Sequence, residues 1–198
     1  MDSPSNREDK ELLSGAIDLH VHCSPCLFQR QFNEIEFAKQ ARDAGYRAFL
    51  SKSHHLTNAD RVQLVREVVP GVEVFGAVVL NHWMGGLNPE AVETAILFGA
   101  KEIWMPTFHA ANNIKILGKL PSSQLQKTME KRSQRNVDGI SILNKDGEVI
   151  PPVLEILDMI ASADIIVGTG HLSVEEVLKL VRAAKNAGVK KILVTHPE

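Results

Sequence analysis

Eight histidines form the most informative chemical pattern of this 198-residue chain, because each follows a short apolar run typical of a β-strand. They are His20, His22, His54, His55, His82, His109, His171 and His196. Histidine is the commonest metal ligand and the usual acid or base near neutral pH. In alternating strand–helix chains the active site forms where the strands end. The pattern therefore predicts a metal-dependent active site.

The His20-x-His22 pair is the first candidate for metal binding. Side chains two residues apart on a strand share a face, so both imidazoles can reach one ion. With His171 and His196 at later strand ends, the donors suit zinc or another divalent transition metal, with manganese and iron as alternatives. Two ordinary loop histidines making hydrogen bonds are the other interpretation of the pair.

Lys52 ends the second apolar run and is a candidate catalytic residue. It could contact an oxyanion, a carboxylate or a phosphate, or it could be a solvated lysine at a strand exit. Asp18 shares the face of His20 and either hydrogen-bonds an imidazole or has a structural role at the sheet edge. The remaining candidates for the substrate pocket are His54, His55, Asn81, His82, Thr107 and His109. Because adjacent residues on a strand diverge, only one of His54 and His55 is expected to be a ligand.

The elements that must position these residues alternate between strands and helices. Strands are predicted at 16–22, 46–52, 72–80, 101–107, 164–169 and 190–195, and their near-continuous apolar composition favours a parallel sheet covered on both faces. Capping pairs predict four helix starts, at Asn33/Glu36, Thr57/Asp60, Asn88/Pro89 and Ser173/Glu176. Glycines that suit helix ends stand at 45, 71, 99 and 188.

The order of these elements predicts one domain over residues 1–198, with a (β/α) TIM-type barrel fold. Only six of the eight strands of such a barrel are found, so we expect a chain truncated to about six βα units, with a six-stranded open sheet as the alternative. An insertion at about 108–150 interrupts the repeat and is either a lid with substrate contacts or a surface decoration. Within it, Lys145-Asp-Gly predicts a hairpin turn.

Several motifs resemble those of the amidohydrolase superfamily of metal-dependent hydrolases. They are Asp-Leu-His20-Val-His22, Val-Gly-Thr-Gly-His171 and Leu-Val-Thr-His196-Pro. Together with Leu-Asn-x-x-x-Gly-Gly-Leu-Asn-Pro and Trp-Met-Pro-Thr, they resemble more narrowly an uncharacterised amidohydrolase-like family. The resemblance implies that His20, His22 and His171 are metal ligands. It also implies that His196 binds a second metal or deprotonates the attacking water, in the hydrolysis of a C–N or ester bond of a small molecule.

Two departures from the superfamily pattern keep other functions open. The fourth strand ends in Met-Pro-Thr-Phe-His109 without the lysine that bridges two metals in many members, and no eighth strand supplies the usual aspartate. The alternatives are a phosphoesterase of the polymerase-and-histidinol-phosphatase type, a metal-dependent decarboxylase and a non-catalytic metal-binding scaffold. Asn81, where the phosphoesterases usually carry a glutamate, counts against the first of these.

The composition is that of an ordinary globular protein. A net charge of −2 gives no indication of nucleic-acid or anionic-membrane binding, and no apolar run is long enough to span a bilayer. We therefore expect a cytoplasmic protein acting on a small molecule, and a homo-oligomer is compatible with the sequence. Cys23 and Cys26 are interpreted as small loop residues rather than a redox or soft-metal motif.

Overall fold

A computed structural model describes residues 11–117 and 138–197 as an α/β fold. The strands are β1 (Ile17–Val21), β2 (Ala48–Ser51), β3 (Glu73–Phe75), β4 (Ala77–Val79), β5 (Glu102–Trp104), β6 (Ile166–Gly168) and β7 (Lys191–Leu193). The helices are α1 (Glu34–Asp43), α2 (Arg61–Val68), α3 (Pro89–Leu97), α4 (Ala111–Leu117), α5 (Pro151–Ser162) and α6 (Val174–Asn186). A 3₁₀ turn at His82–Met84 follows β4.

All the paired strands are parallel and follow one another in chain order. One sheet has the order β1-β2-β3, and the other has the order β4-β5-β6-β7. Because β3 and β4 are separated only by Gly76, the two sheets form one sequential path of strands. This confirms the predicted parallel α/β architecture.

The single strand predicted at 72–80 is wrong in detail, because the chain is interrupted at Gly76. The backbone of Gly76 passes against the loop that precedes α2. A Cβ atom at this position would lie 2.5 Å from the Cα of Ala59 and 2.9 Å from the carbonyl carbon of Asn58. Only glycine permits so close an approach of two backbones.

Replacing Gly76 with alanine should lower the free energy of unfolding by about 2–4 kcal/mol, because the neighbouring atoms are backbone and cannot move aside. Gly99→Ala is the matched control, since nothing lies within 4 Å of its Cβ position and only its positive φ of 89° opposes alanine. That substitution should cost about 1 kcal/mol. Urea denaturation of both variants checks the difference, and equal losses would contradict the close-approach explanation.

Three of the four predicted helix starts are confirmed. Asn33 and Ser173 each form a complete capping box, and Asn88 caps α3 ahead of Pro89. The predicted start at Thr57/Asp60 is wrong, because α2 begins only at Arg61, and Asp60 at its N-cap makes no side-chain cap hydrogen bond. The Thr57 hydroxyl instead donates to the carbonyl oxygen of Ala77. Positive φ angles occur at all four predicted glycine stops, at 45, 71, 99 and 188.

The sheet curves so strongly that its outer strands approach each other at their carboxyl ends. His20 lies in β1 and His196 follows β7, yet their ring centroids are 5.7 Å apart. Within the described residues, no hydrogen-bonded ladder joins β1 to β7. The described strands therefore do not close a barrel. The truncation to six of eight units stays a prediction.

The insertion predicted at about 108–150 is described only in part, since residues 118–137 lie outside the described ranges. Its hairpin is confirmed by an antiparallel bridge between Leu143 and Val149. A further bridge joins Ala110 to Ile140, which ties the hairpin to the chain after β5. Among the described residues, no helix is long and apolar enough to cross a membrane.

Candidate active site

His20 and His22 bring two ring nitrogens to one point at the end of β1. Their Nε2 atoms are 3.2 Å apart, and the rings meet edge to face. Two donors of one zinc ion, with Zn–N bonds of about 2.0–2.1 Å in tetrahedral geometry, stand at about this separation. Asp18 accepts a hydrogen bond from the backbone N–H of His20. Of the two roles considered for Asp18, this contact agrees with the structural one, because it fixes the end of β1.

The tautomer of His22 follows from its hydrogen bond to Lys52. The Nδ1 atom of His22 lies 2.9 Å from the carbonyl oxygen of Lys52, which can only accept, so Nδ1 carries the proton. The Nε2 atom therefore presents a lone pair toward His20. Burial, reinforced by the charge of Lys52, lowers the pKa of His22 to about 3 and that of His20 to about 4. Both rings are neutral at physiological pH, as metal ligands must be.

His171 is oriented in the same manner by Asn113. The amide nitrogen of Asn113 donates to the carbonyl oxygen of Phe108, which leaves its Oδ1 to accept from Nδ1 of His171 at 3.0 Å. The Nε2 atom of His171 consequently also carries a lone pair. His196 is exposed and lies near both His171 and His20. Its ring centroid is 5.5 Å from that of His171 and 5.7 Å from that of His20. The curvature of the sheet thus gathers His20, His22, His171 and His196 at one edge.

Lys52 is buried beside these rings rather than solvated at a strand exit. Only 2% of its surface is exposed. Its Nζ atom lies 3.2 Å from Nε2 of His20 and 3.4 Å from the ring centroid of Trp104. Burial lowers the pKa of Lys52 to about 7, and the negative charge of Glu102 partly offsets this effect. The amine is therefore a group that can change protonation state near neutral pH.

Glu102 and Trp104 share one face of β5, two residues apart, and form the floor below Lys52. Both carboxyl oxygens of Glu102 and the Nε1 atom of Trp104 have no hydrogen-bond partner among the described residues. Gly168 on β6 leaves room for them, since a Cβ there would lie 2.6 Å from the Glu102 carboxyl and from the indole of Trp104. Burial raises the pKa of Glu102 to about 8, although Lys52 acts in the opposite direction.

Glu102 should make stability fall as the pH rises. Its ordinary pKa is 4.5, so between about 4.5 and 8 the folded state holds a proton that the unfolded state has lost. Above that range the buried carboxyl must ionise, which costs folding free energy, and Glu102→Gln removes this cost. We expect the variant to be more stable than the unchanged protein by on the order of 2 kcal/mol at pH 8.5, and by much less at pH 5. Urea denaturation at both values checks this, and an equal difference at both would contradict it.

Asn81 holds together the loops that follow β4 and β5. Its Oδ1 accepts from the backbone N–H groups of Thr107 and His109, and its Nδ2 donates to Thr107 Oγ1 and to the carbonyl oxygen of His54. These bonds use all the hydrogen-bonding capacity of the amide. Asn81 therefore positions the loops and has no group left for a ligand.

The Thr107 hydroxyl links Asn81 to His54. It accepts from Nδ2 of Asn81 and lies 3.2 Å from Nδ1 of His54, where either the hydroxyl or the ring nitrogen can be the donor. The buried ring of His54 stacks on that of His22 at a centroid distance of 4.4 Å. A hydrogen bond and ring stacking therefore hold His54 beside the His20–His22 pair.

The other pocket candidates lie farther from the His20–His22 pair. Trp83 has ring centroids at 4.4 Å both from His55 and from His109. The Nδ1 atoms of these two buried histidines have no partner among the described residues. His82 is exposed and contacts the carbonyl oxygen of Asp138 at 2.9 Å, which ties the turn after β4 to the insertion.

Cys23 and Cys26 are both free thiols. Cys23 is buried, and burial raises the pKa of its thiol to about 12, which makes it unreactive. The Sγ atom of Cys26 accepts from the backbone N–H of Phe28 and from Nε of Arg30. This agrees with their interpretation as loop residues.

The histidine nitrogens of the described residues are suitable ligands for a divalent metal ion, and two of them already lie close together. Among those residues, however, no three or more His, Cys, Asp or Glu side chains are grouped closely enough to hold an ion. His20 and His22 supply two neutral nitrogens at the separation expected of co-ligands. His171 supplies a third lone pair nearby, and its orientation is fixed by Asn113.

Sequence reasoning missed residues that the structure places at the site. These are Glu102, Trp104, Asn113, Phe28, Phe108 and Arg30. One signal was available, since Glu102 and Trp104 interrupt an apolar strand at same-face spacing. The other residues stand in loops or at the start of α4, where no periodicity indicates direction.

Comparison with solved structures finds distant likenesses. A putative deoxyribose-phosphate aldolase from Coccidioides immitis is 14% identical, with a TM-score of 0.49 over 98% of this chain, which spans 62% of the length of that protein. A histidinol phosphate phosphatase from Lactococcus lactis, solved with zinc, L-histidinol and phosphate, is 12% identical, with a TM-score of 0.33. The match covers 91% of this chain and 84% of the phosphatase. A δ-aminolevulinic acid dehydratase from Toxoplasma gondii is 11% identical, with a TM-score of 0.30, over 98% and 88% respectively.

A search of curated proteins finds no match. A family match covers residues 15–198, which includes every strand, every helix and all eight histidines described above. The matched family is described as a family of unknown function, DUF6282. The chain therefore belongs to the DUF6282 family.

Proposed function

We propose that this protein is a metal-dependent hydrolase of the amidohydrolase type, which cleaves a C–N or ester bond of a small molecule. The observation that carries the proposal is the convergence of two neutral imidazole nitrogens, His20 Nε2 and His22 Nε2, at 3.2 Å. The hydrogen bond from His22 to Lys52 turns a lone pair toward this point. Because Nε2 of His22 carries no proton, this short contact is stabilised either by a proton on Nε2 of His20 or by a cation that both nitrogens bind. We propose the second.

His20, His22 and His171 would hold the ion, with zinc best suited to an all-imidazole set and manganese or iron as alternatives. A divalent ion there would lower the pKa of water toward neutrality and polarise the scissile bond. The neighbouring side chains would stabilise negative charge and transfer protons. Lys52 Nζ would donate to negative charge that develops on a substrate oxygen. His196 accepts a proton from the attacking water and returns it to the leaving group.

The proposal is tested by hydrolysis of chromogenic probes by the full chain, loaded with zinc or treated with a chelator. p-Nitrophenyl acetate, p-nitroacetanilide and p-nitrophenyl phosphate represent ester, amide and phosphomonoester bonds. We expect zinc-dependent release of p-nitrophenol or p-nitroaniline from the first two. Release from the phosphate alone would instead support the phosphoesterase, and no zinc-dependent release from any probe would count against catalysis.

Asn113 is expected to act as a positioning residue for His171. Asn113→Ala removes the acceptor of the His171 Nδ1 proton, so the ring is free to rotate and to change tautomer. Loss of such a partner typically lowers metal affinity about 10–100-fold. Zinc titration against a competing chelator measures the effect.

Asn112→Ala is the matched control for Asn113→Ala. The amide of Asn112 bonds the carbonyl oxygens of His171 and Leu172 in the same loop but does not contact the imidazole. We expect its zinc affinity to stay within about threefold of the unchanged protein. Equal losses in the two variants would show that the loop, and not the imidazole orientation, governs affinity.

A further inference from the structure

Arg30 lies over Phe28, whose ring is next to those of His54 and His55, and has unused donors. Its Nε atom donates to the Sγ atom of Cys26, and its guanidinium carbon is 5.7 Å from the ring centroid of Phe28. Neither terminal nitrogen has a hydrogen-bond or carboxylate partner among the described residues. Such a fork is the group best suited to a planar or tetrahedral anion, because it can donate two parallel hydrogen bonds.

The positive charge of Arg30 acts on the site itself. The ring of Phe28, on which Arg30 lies, is 6.2 Å from the ring centroid of His54 and 5.2 Å from that of His55. Burial is the main cause of the lowered pKa values of His22, His54 and His55, and the charge of Arg30 contributes to each. Guanidinium is always protonated in proteins, so this charge does not depend on pH. An anionic group is therefore favoured on this side of the pocket.

An aromatic wall connects Arg30 with His171. Phe28 lies under the guanidinium, Phe108 follows with a centroid distance of 5.2 Å, and His171 lies 6.0 Å beyond Phe108. Both phenylalanines are half-buried. Half-buried aromatic faces beside a polar centre favour an apolar or aromatic portion of a ligand.

We propose that the site binds a small organic anion, a carboxylate or a phosphate monoester, whose charged group is held by Arg30 and whose apolar body packs on Phe28 and Phe108. The reacting bond then faces the rings of His20, His22 and His171. This inference names the substrate class of the proposed hydrolase and rests on that function. Binding without a metal ion can still be measured separately from catalysis.

The test is isothermal titration of the chelator-treated full chain with three probes that share a phenyl ring: benzoate, phenyl phosphate and neutral benzamide. Arg30→Gln should weaken the binding of either anion by about tenfold or more, because a charge-assisted pair is lost. Arg30→Lys should retain part of it. Arg47→Gln, at an exposed arginine before β2, is the matched control and should change nothing.

Benzamide serves as the check on folding and on the wall. Its affinity should be unchanged in Arg30→Gln, and Phe108→Ala should weaken all three probes together. Whichever of benzoate and phenyl phosphate binds with the higher affinity identifies the charged group, carboxylate or phosphate. Anion affinities in Arg30→Gln within about twofold of the unchanged protein, or benzamide binding as tightly as both anions, would overturn the proposal. If the expected binding is measured but no metal-dependent hydrolysis is found, the proposed hydrolase function is rejected and the proposed anion-binding site is retained.

Discussion

Replacing His22 with alanine should remove the bound metal and lower metal-dependent hydrolysis by about a thousandfold or more. The expectation follows from the pairing of its Nε2 atom with that of His20 at 3.2 Å, since one imidazole alone cannot provide the convergent donors. The fold should survive, because His22 is only half-buried and, among the described residues, its side chain makes one hydrogen bond to the backbone, to the carbonyl oxygen of Lys52.

The control for this variant is His82→Ala. His82 also follows a strand, but its ring is exposed and contacts the carbonyl oxygen of Asp138 instead of another metal-ligand candidate. It should keep both metal and activity. Zinc content and probe hydrolysis are measured on each variant after the same loading. Activity that persists in metal-free His22→Ala would exclude a role for this pair in catalysis.

Lys52→Met should reduce turnover by about 10²–10³-fold while the metal content stays unchanged. The ammonium lies against Trp104 and His20 in a buried pocket, where it stabilises negative charge more strongly than in water. Because burial already opposes the charged form, methionine should leave the protein as stable or make it more stable.

Lys101→Met, at an exposed lysine before β5, is the control for Lys52→Met and should leave turnover unchanged. Steady-state rates with p-nitrophenyl acetate, zinc content and thermal unfolding are compared for the two variants. Loss of metal together with activity in Lys52→Met would assign Lys52 to holding the site instead of contacting substrate.

The fold could be predicted to a large extent because its determinants are local. Apolar runs mark each strand, and the caps at Asn33, Asn88 and Ser173 mark three helix starts through side chain–backbone bonds a few residues apart. The interruption at Gly76 could not be predicted in the same way. It depends on contact with the Asn58–Ala59 backbone, which is distant in sequence.

The candidate site could be predicted only as a set of strand-end residues. The histidines were found from their positions after strands, but the curvature that brings His196 near His20 is a property of the whole sheet. The burial of Lys52 over Trp104 depends on the same curvature. Arg30 lies in a loop, where sequence spacing carries no information about direction.

Elemental mass spectrometry of the purified, unchanged protein measures whether the histidine site holds a metal ion. We expect about one equivalent of zinc after loading and removal of free metal, and its loss in His171→Ala. A protein that holds no zinc, manganese or iron under any loading condition would contradict the metal site, and with it the proposed hydrolase.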